Sequence, residues 1–241
     1  MHVAEIYGDD YFFGGGAGYD DYLQQKELLT NRGTEYANLL AQHCMPGRVL
    51  DVGSAAGFFL RGFLDCGWEG VGVEPNQRLS KVARDEMHID SCCTTFEDFA
   101  SGSSFDAITM VQVILHFIDP LASINKGYDL LKPGGFLLIE TWDRASWEAS
   151  ILGSRWHQYS PPSVLHWFTK TEFADLLKKN GFSVIATGHP PRRIRVGHAK
   201  SLIKCKYGRL AASTLAWLPD RLTLPYPADD LIWLLARRPT T

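Results

Sequence analysis

The sequence lacks the features of secreted, metal-binding and membrane-spanning proteins. Its five cysteines are odd in number and none lies in Cys-x-x-Cys spacing, which argues against a disulfide framework or a zinc site. No stretch approaches the roughly 18 uninterrupted apolar residues of a spanning helix, and the first residues lack the basic start and apolar stretch of a signal peptide. We therefore expect a cytoplasmic protein without bound metal or stable membrane insertion.

An excess of positive charge is also missing. The net charge is −3, which gives no bulk attraction to nucleic acid, so we expect no nucleic-acid partner. The 241 residues are 45% hydrophobic, an ordinary globular composition and long enough for one sizeable core. We expect a single domain over residues 1–241.

Short apolar runs alternate with helical patterns through the first two thirds of the chain. Strands are predicted at 49–52, 71–74, 89–93, 105–111 and 136–140, and helices at 23–43, 57–66, 77–87 and from Asp119-Pro120 onward. This alternation is typical of a parallel sheet with helices on both faces. Beyond it we expect an ordered N-terminal strap at 1–22, an irregular aromatic segment at 141–168, a helix at 169–180 and strands at 182–187 and 231–236.

A glycine-containing turn follows the first predicted strand directly. Gly53 and Gly57 separate this strand, which contains Asp51, from the next helix. In doubly wound sheets ligands bind at the carboxyl ends of the strands, so this turn is the expected ligand site. Glu74 ends the second strand, where a carboxylate accepts hydrogen bonds from a ribose diol. These features together predict an adenosine-type ligand.

The composition of the turn distinguishes two nucleotide ligands. A dinucleotide fingerprint, Gly-x-Gly-x-x-Gly, needs a middle glycine to make room for the pyrophosphate, and Ala55 stands at that position. Asp51 would repel a pyrophosphate but suits a cationic amino acid group. S-adenosylmethionine is therefore favoured over NAD. An NAD-dependent oxidoreductase and a non-catalytic S-adenosylmethionine-binding module stay open as alternatives.

Five motifs in order carry a family resemblance. The segments "VLDVGSAAGFFL", "VGVEPN", "FEDF", "SFDAITMVQVILHFIDP" and "LLKPGGFLLIETW", between Val49 and Trp142, resemble those of class I S-adenosylmethionine-dependent methyltransferases. The resemblance implies a Rossmann-like α/β fold, doubly wound, with a mostly parallel seven-stranded sheet whose last strand is antiparallel. It also implies a strap and helix at 1–45, a cofactor-binding core at 46–142, and acceptor-side elaborations at 143–168 and 189–225.

By the same resemblance, S-adenosylmethionine is the cofactor and S-adenosylhomocysteine the product. Asp51 and Gly53 would hold the methionine part, Glu74 the ribose, and the backbone near Gln112 would face the amino group. The full predicted cofactor set is Asp51, Gly53, Ser54, Gly57, Glu74, Pro75, Thr95, Phe96, Glu97, Val111 and Gln112. The flanking segments resemble those of small bacterial methyltransferases, in which a Glu often stands where this chain has Leu115.

A hydroxyl acceptor needs a proton removed, and histidine suits this task near neutral pH. His116, after the fourth strand, is the first candidate base; His166 and His157 follow, and each has a purely structural reading as well. We expect a small-molecule acceptor, methylated on a hydroxyl oxygen, beneath a lid of aromatic side chains. The basic segment 192–209 is either a solvated helix face or a phosphate-binding patch, and a homodimer stays open.

Overall fold

The computed structural model describes residues 6–13, 22–156, 158–191, 193–196, 200, 217–219, 222–225 and 229–240. The helices are α1 (Asp9–Phe13), α2 (Lys26–Leu40), α3 (Phe58–Asp65), α4 (Gln77–Asp85), α5 (Pro120–Leu130), α6 (Trp147–Leu152) and α7 (Lys170–Lys179). Short 3-10 turns cover Tyr22–Gln25, Ile114–His116 and Gly153–Arg155. The strands are β1 (Arg48–Val52), β2 (Glu69–Val73), β3 (Asp90–Cys92), β4 (Phe105–Val111), β5 (Leu131–Trp142), β6 (Ser183–Gly188), β7 (Arg193–Arg195), β8 (Thr223–Pro225) and β9 (Leu231–Arg237).

Within these residues, one seven-stranded sheet has the order β3-β2-β1-β4-β5-β9-β6. Strands β1 to β5 pair in parallel, whereas β9 lies antiparallel between β5 and β6. The apolar side chains of β1 and β4 are almost fully buried, as expected for strands covered on both faces. The predicted fold, including the antiparallel last strand, is confirmed.

The strand order creates one switch point beside β1. The chain builds β2 and β3 on one side of β1 and then crosses to place β4 on the other side. At such a point the loops after neighbouring strands diverge and leave a crevice at the carboxyl ends of the strands. The fold therefore places a ligand-binding crevice where β1, β2 and β4 end.

Helix α2 approaches α3 unusually closely. A Cβ atom on Gly33 would lie 2.0 Å from the carbonyl oxygen of Phe59, and one on Gly62 would lie 2.3 Å from that of Thr30. Only glycine permits this crossing, because any side chain would separate the two helices. The close crossing holds α2 against the helix that follows the glycine-containing turn.

Several predicted boundaries differ from the observed ones. The segment 141–168 is not wholly irregular, because Ser146 caps the six-residue helix α6 by accepting a hydrogen bond from the backbone N–H of Ala149. The N-terminal strap contains α1, and the predicted helix 23–43 divides into a 3-10 turn and α2. Elements this short carry too little hydrophobic periodicity to be recognised from sequence.

The described residues include neither a helix long and apolar enough to cross a bilayer nor a cluster of side chains able to hold a metal ion. The basic segment 192–209 lies mostly outside these residues. So do His157 and residues 14–21 of the predicted strap.

Candidate active site

A cavity of about 200 Å³ occupies the crevice at the switch point. The ends of β1, β2 and β4 and the loop after β3 form its floor, and aromatic residues before and within the first helices cover it. Ten of the eleven predicted cofactor residues line it: Asp51, Gly53, Ser54, Glu74, Pro75, Thr95, Phe96, Glu97, Val111 and Gln112. His116 lines it as well, so residues chosen from sequence motifs meet around one space.

Two predicted site residues are not among those that line the cavity. Gly57 is the N-cap residue of α3 and has a positive φ of 76°. A Cβ added to Gly57 would lie 2.7 Å from Cδ1 of Ile89, so this glycine packs against Ile89. The ring of His166 stacks on Phe168. The backbone N–H groups of His166 and Leu165 both donate to the carbonyl oxygen of Leu115. Gly57 thus has a packing role here, and of the two histidines only His116 is among the residues that line the cavity.

The turn after β1 brings its backbone close to the cavity. Gly53 and Ala55 both have positive φ, 71° and 46°, so the turn uses left-handed conformations that side chains rarely adopt. A Cβ on Gly53 would lie 2.5 Å from a methyl group of Val113. The turn also directs the N–H of Ala55 to Glu74, at 2.8 Å.

Glu74 is a buried carboxylate fixed by backbone donors. One oxygen accepts from Ala55 and the other from the N–H of Asn76, at 2.7 Å. Burial raises the pKa of Glu74 to about 7, although these two hydrogen bonds act in the opposite direction. Since a carboxylate can accept about four hydrogen bonds, Glu74 can accept two more from a ligand diol.

Asp51 is the second buried carboxylate of the cavity. It accepts a hydrogen bond of 2.7 Å from the hydroxyl of Thr109. Burial raises its pKa to about 7; the Thr109 hydrogen bond lowers the pKa and the nearby charge of Glu74 raises it. Two buried carboxylates that repel each other favour a ligand that brings positive charge or hydrogen-bond donors.

The polar side chains of the cavity test whether a ligand fits. Ser54 lines the cavity, but its buried oxygen packs toward Gly72 and has no hydrogen-bond partner among the described residues. The test therefore rests on the two carboxylates. The acceptor capacity of Glu74 and the charge of Asp51 fit an adenosine ligand that carries a charged amino acid group.

His116 lies in the 3-10 turn after β4 and has a defined tautomer. Its Nδ1 lies 2.6 Å from the carbonyl oxygen of Ser163. A carbonyl only accepts, so the proton is on Nδ1 and Nε2 is the basic nitrogen. Burial lowers the pKa of His116, whereas the carbonyls of Ser163 and Gln112 raise it, so the neutral form is favoured. Such an imidazole can accept a proton.

The N-terminal segment 6–13 is attached over the cavity by specific contacts. The hydroxyl of Tyr7 donates to the same Ser163 carbonyl at 2.5 Å, and its ring packs edge-on against His116 at 5.2 Å. The side-chain N–H₂ of Asn76 donates to the carbonyl of Tyr7 and to Asp9, both at 3.2 Å. The backbone N–H of Asn76 also donates to Glu74, so the cover and the floor share one residue.

A buried hydrogen-bond network that was not predicted from sequence lies beside the site. Glu140, near the end of β5, is fully buried and accepts hydrogen bonds from Arg32, Tyr36 and Gln112. Burial, and then the Glu140 charge, raises the pKa of Tyr36 well above its ordinary value, so its hydroxyl stays protonated and donates. One signal was present in the sequence, since Glu140 is a charge directly after the apolar run 136–139.

Comparison with known proteins identifies the family. The family described as "Methyltransferase domain" matches residues 24–187, more than half of the chain, so this protein belongs to that methyltransferase family. Together with the sheet order, this confirms the predicted class I S-adenosylmethionine-dependent methyltransferase and its cofactor.

One curated relative is the ubiquinone biosynthesis O-methyltransferase of Cereibacter sphaeroides (strain ATCC 17025 / ATH 2.4.3). It is 32% identical over 150 residues, which cover 57% of this chain and 61% of the relative. The chain thus spans about three fifths of the length of the curated relatives it matches.

Solved structures show the same fold. Magnesium protoporphyrin IX methyltransferase (ChlM) from Synechocystis PCC 6803, with bound S-adenosylhomocysteine, has a TM-score of 0.60 at 16% identity, over 98% of this chain and 93% of that one. The [4+2]-cyclase SpnF has a TM-score of 0.57 at 19% identity, over 86% and 81%. At these identities the likeness concerns the fold alone, and one of the two names is not that of a methyltransferase.

Proposed function

We propose that this protein transfers a methyl group from S-adenosylmethionine to a hydroxyl oxygen of a small molecule, and that His116 is the base. The observation that carries the proposal is the shared cavity, in which two buried carboxylates and a neutral histidine face the same space. The curated relatives named O-methyltransferases support the acceptor atom.

On the donor side, the proposal assigns each polar group one task. S-adenosylmethionine supplies, when bound, an electrophilic methyl group on a sulfonium. Glu74 accepts hydrogen bonds from the ribose diol, Asp51 and Gly53 hold the amino acid portion, and Phe96 borders the adenine. The prearranged turn between Gly53 and Gly57 lets this binding proceed without reordering of the backbone.

On the acceptor side, His116 removes the proton. The Ser163 carbonyl holds the ring with Nε2 unprotonated, so this nitrogen can take the hydroxyl proton. As the acceptor oxygen bonds to the methyl carbon, the carbon–sulfur bond of the sulfonium would break and its electron pair would stay on the sulfur of S-adenosylhomocysteine. Tyr7, Tyr11 and Phe117 line the same cavity and exclude water from the reacting atoms. Flat aromatic walls fit a planar acceptor, so phenols and catechols are the first probes.

The test is formation of S-adenosylhomocysteine from S-adenosylmethionine and a panel of phenols and catechols. His116→Gln should lower turnover by about 10²–10⁴-fold, because general-base catalysis contributes this much. Affinity for S-adenosylhomocysteine should stay within about twofold. The loss should shrink at high pH, where a phenol ionises without help.

His166→Gln is the matched control, since this histidine does not line the cavity. Turnover should stay near that of the unmodified protein in His166→Gln and fall strongly in His116→Gln. A normal rate per folded molecule in His116→Gln would remove the assigned base. If the unmodified protein binds cofactor but never forms S-adenosylhomocysteine with any acceptor, it is a binding module.

Three broader assignments are proposed alongside the function. Residues 1–241 form one domain with a cofactor-binding core at 46–142, the acceptor is a small molecule, and the location is cytoplasmic. A homodimer stays a prediction, for which sedimentation of the purified protein is the direct measurement.

A further inference from the structure

The carboxylate of Glu140 binds three side chains that come from two separate parts of the chain. Arg32 donates from Nη1 at 2.5 Å, Gln112 donates from Nε2 at 2.9 Å, and the hydroxyl of Tyr36 donates as well. Arg32 and Tyr36 belong to α2, whereas Gln112 directly follows β4. A buried carboxylate is costly unless it is paired, and these donors supply the pairing.

This arrangement determines how the amide of Gln112 is oriented. Arg32 and Tyr36 both donate to the carboxylate of Glu140, and a carboxylate accepts, so Gln112 presents its N–H₂ group to it. The amide oxygen of Gln112 is therefore turned away from Glu140. The backbone is fixed too, since the N–H of Gln112 donates to the carbonyl of Glu140 at 2.8 Å and its φ is +55°.

The position of Gln112 shows which ligand group lies nearest. Gln112 lines the cavity at the end of β4, on the opposite side of β1 from Glu74 at the end of β2. A ligand whose ribose lies at Glu74 therefore reaches Gln112 with the amino acid portion beyond the ribose. An ammonium group there needs an acceptor such as an amide oxygen.

We propose that Glu140 is a positioning residue that holds the amide oxygen of Gln112 toward the cavity, where it accepts a hydrogen bond from the ammonium group of the methyl donor. The inference rests on the proposed function, since it needs S-adenosylmethionine in this cavity. It explains why a charge is buried at position 140. A neutral amide there could donate from its own N–H₂ group to the amide oxygen of Gln112, and this oxygen would then face position 140 instead of the cavity.

The test compares two ligands on the full chain. S-adenosylhomocysteine carries the ammonium group, whereas 5′-methylthioadenosine has the same nucleoside without the amino acid part. In Glu140→Gln, affinity for S-adenosylhomocysteine should fall at least tenfold while affinity for 5′-methylthioadenosine stays within about twofold, both by calorimetry. Equal losses for both ligands, or no loss, would overturn the positioning role.

A charge swap distinguishes orientation from general damage. Adding Gln112→Glu to Glu140→Gln restores an acceptor facing the cavity, because a carboxylate at 112 accepts from the amide at 140. S-adenosylhomocysteine affinity should recover in this double variant, and failure to recover counts against the proposal.

If Glu140→Gln does not fold, Gln112→Met carries the same comparison, since Glu140 keeps Arg32 and Tyr36. Its ratio of the two affinities should fall as well, and an unchanged ratio would overturn the inference. If the unmodified protein binds neither ligand, the proposed function itself fails. If it binds both ligands and the variants leave the ratio of the two affinities unchanged, the positioning role alone fails.

Discussion

Replacing Glu74 by Gln removes one charge and one acceptor oxygen from the cavity floor. The side chain keeps its size, but its single oxygen can accept from only one of the two backbone N–H groups, of Ala55 and Asn76, that the carboxylate binds at 2.8 and 2.7 Å. The other N–H then faces an amide N–H₂. An unsatisfied buried donor costs about 1–3 kcal/mol, so the free energy of unfolding should fall by about this amount.

The effect on binding can be worked out separately. A hydrogen bond to a charged group contributes about 1.5–3 kcal/mol and a neutral one about 0.5–1.5, so each ribose hydroxyl loses roughly 1–1.5 kcal/mol when the charge goes. Two hydroxyls give about 2–3 kcal/mol, which is roughly a 30- to 150-fold weaker affinity. Glu74→Gln should weaken S-adenosylhomocysteine binding by this factor.

The assay is calorimetry at pH 8, where a carboxyl with a pKa of about 7 is ionised. The 2′-deoxy analogue of S-adenosylhomocysteine should bind more weakly than the parent to the unmodified protein, and the difference should shrink in Glu74→Gln. Glu69→Gln is the matched control, since Glu69 is exposed at the other end of the same strand. An unchanged affinity, or an undiminished preference for the parent ligand, would refute the assignment of the ribose to Glu74.

Two further predictions concern pH and packing. Because burial raises the pKa of Asp51 and of Glu74 to about 7, the folded protein holds more protons than the unfolded chain between about pH 4 and 7. The free energy of unfolding of the ligand-free protein should therefore decrease as pH rises through this window and then level off, which thermal unfolding measures. The affinity for S-adenosylhomocysteine should increase from pH 6 to 8, which calorimetry measures. A stability or an affinity that does not change with pH would contradict the prediction. Gly62→Ala places a Cβ 2.3 Å from the carbonyl oxygen of Thr30 and should lower the free energy of unfolding by about 1–3 kcal/mol. Gly102→Ala is the control, because a Cβ there meets no atom within 4 Å. Equal melting temperatures for the two variants would disprove the close crossing.

The floor of the candidate site could be predicted from sequence because its signals are local. Gly53 and Glu74 each follow directly after a short buried strand, and parallel strands bring their carboxyl ends to one edge of the sheet. Position in the chain therefore translates into position in space once the strands are recognised. Gly57 shows the limit of this reasoning, since the same turn signal marked a residue that packs against Ile89 instead of lining the cavity.

The network around Glu140 could not be predicted for the opposite reason. Arg32 lies 108 residues before Glu140 and Tyr36 lies 104 before it, and neither stands in a recognisable motif. Their meeting depends on how α2 crosses α3, which is determined by Gly33 and Gly62 in two separate segments. Contacts of this kind follow from tertiary packing, which periodicity does not reveal.

The proposed acceptor side also depends on contacts between distant segments. The carbonyl oxygen of Ser163 accepts from Tyr7, 156 residues away, and lies beside Nδ1 of His116, 47 residues away. One backbone atom therefore determines both the tautomer of the candidate base and the position of a covering ring. A change in the loop around Ser163 must alter the two together, so we expect this loop and the N-terminal segment to change the acceptor while the carboxylates proposed to bind the donor stay unchanged.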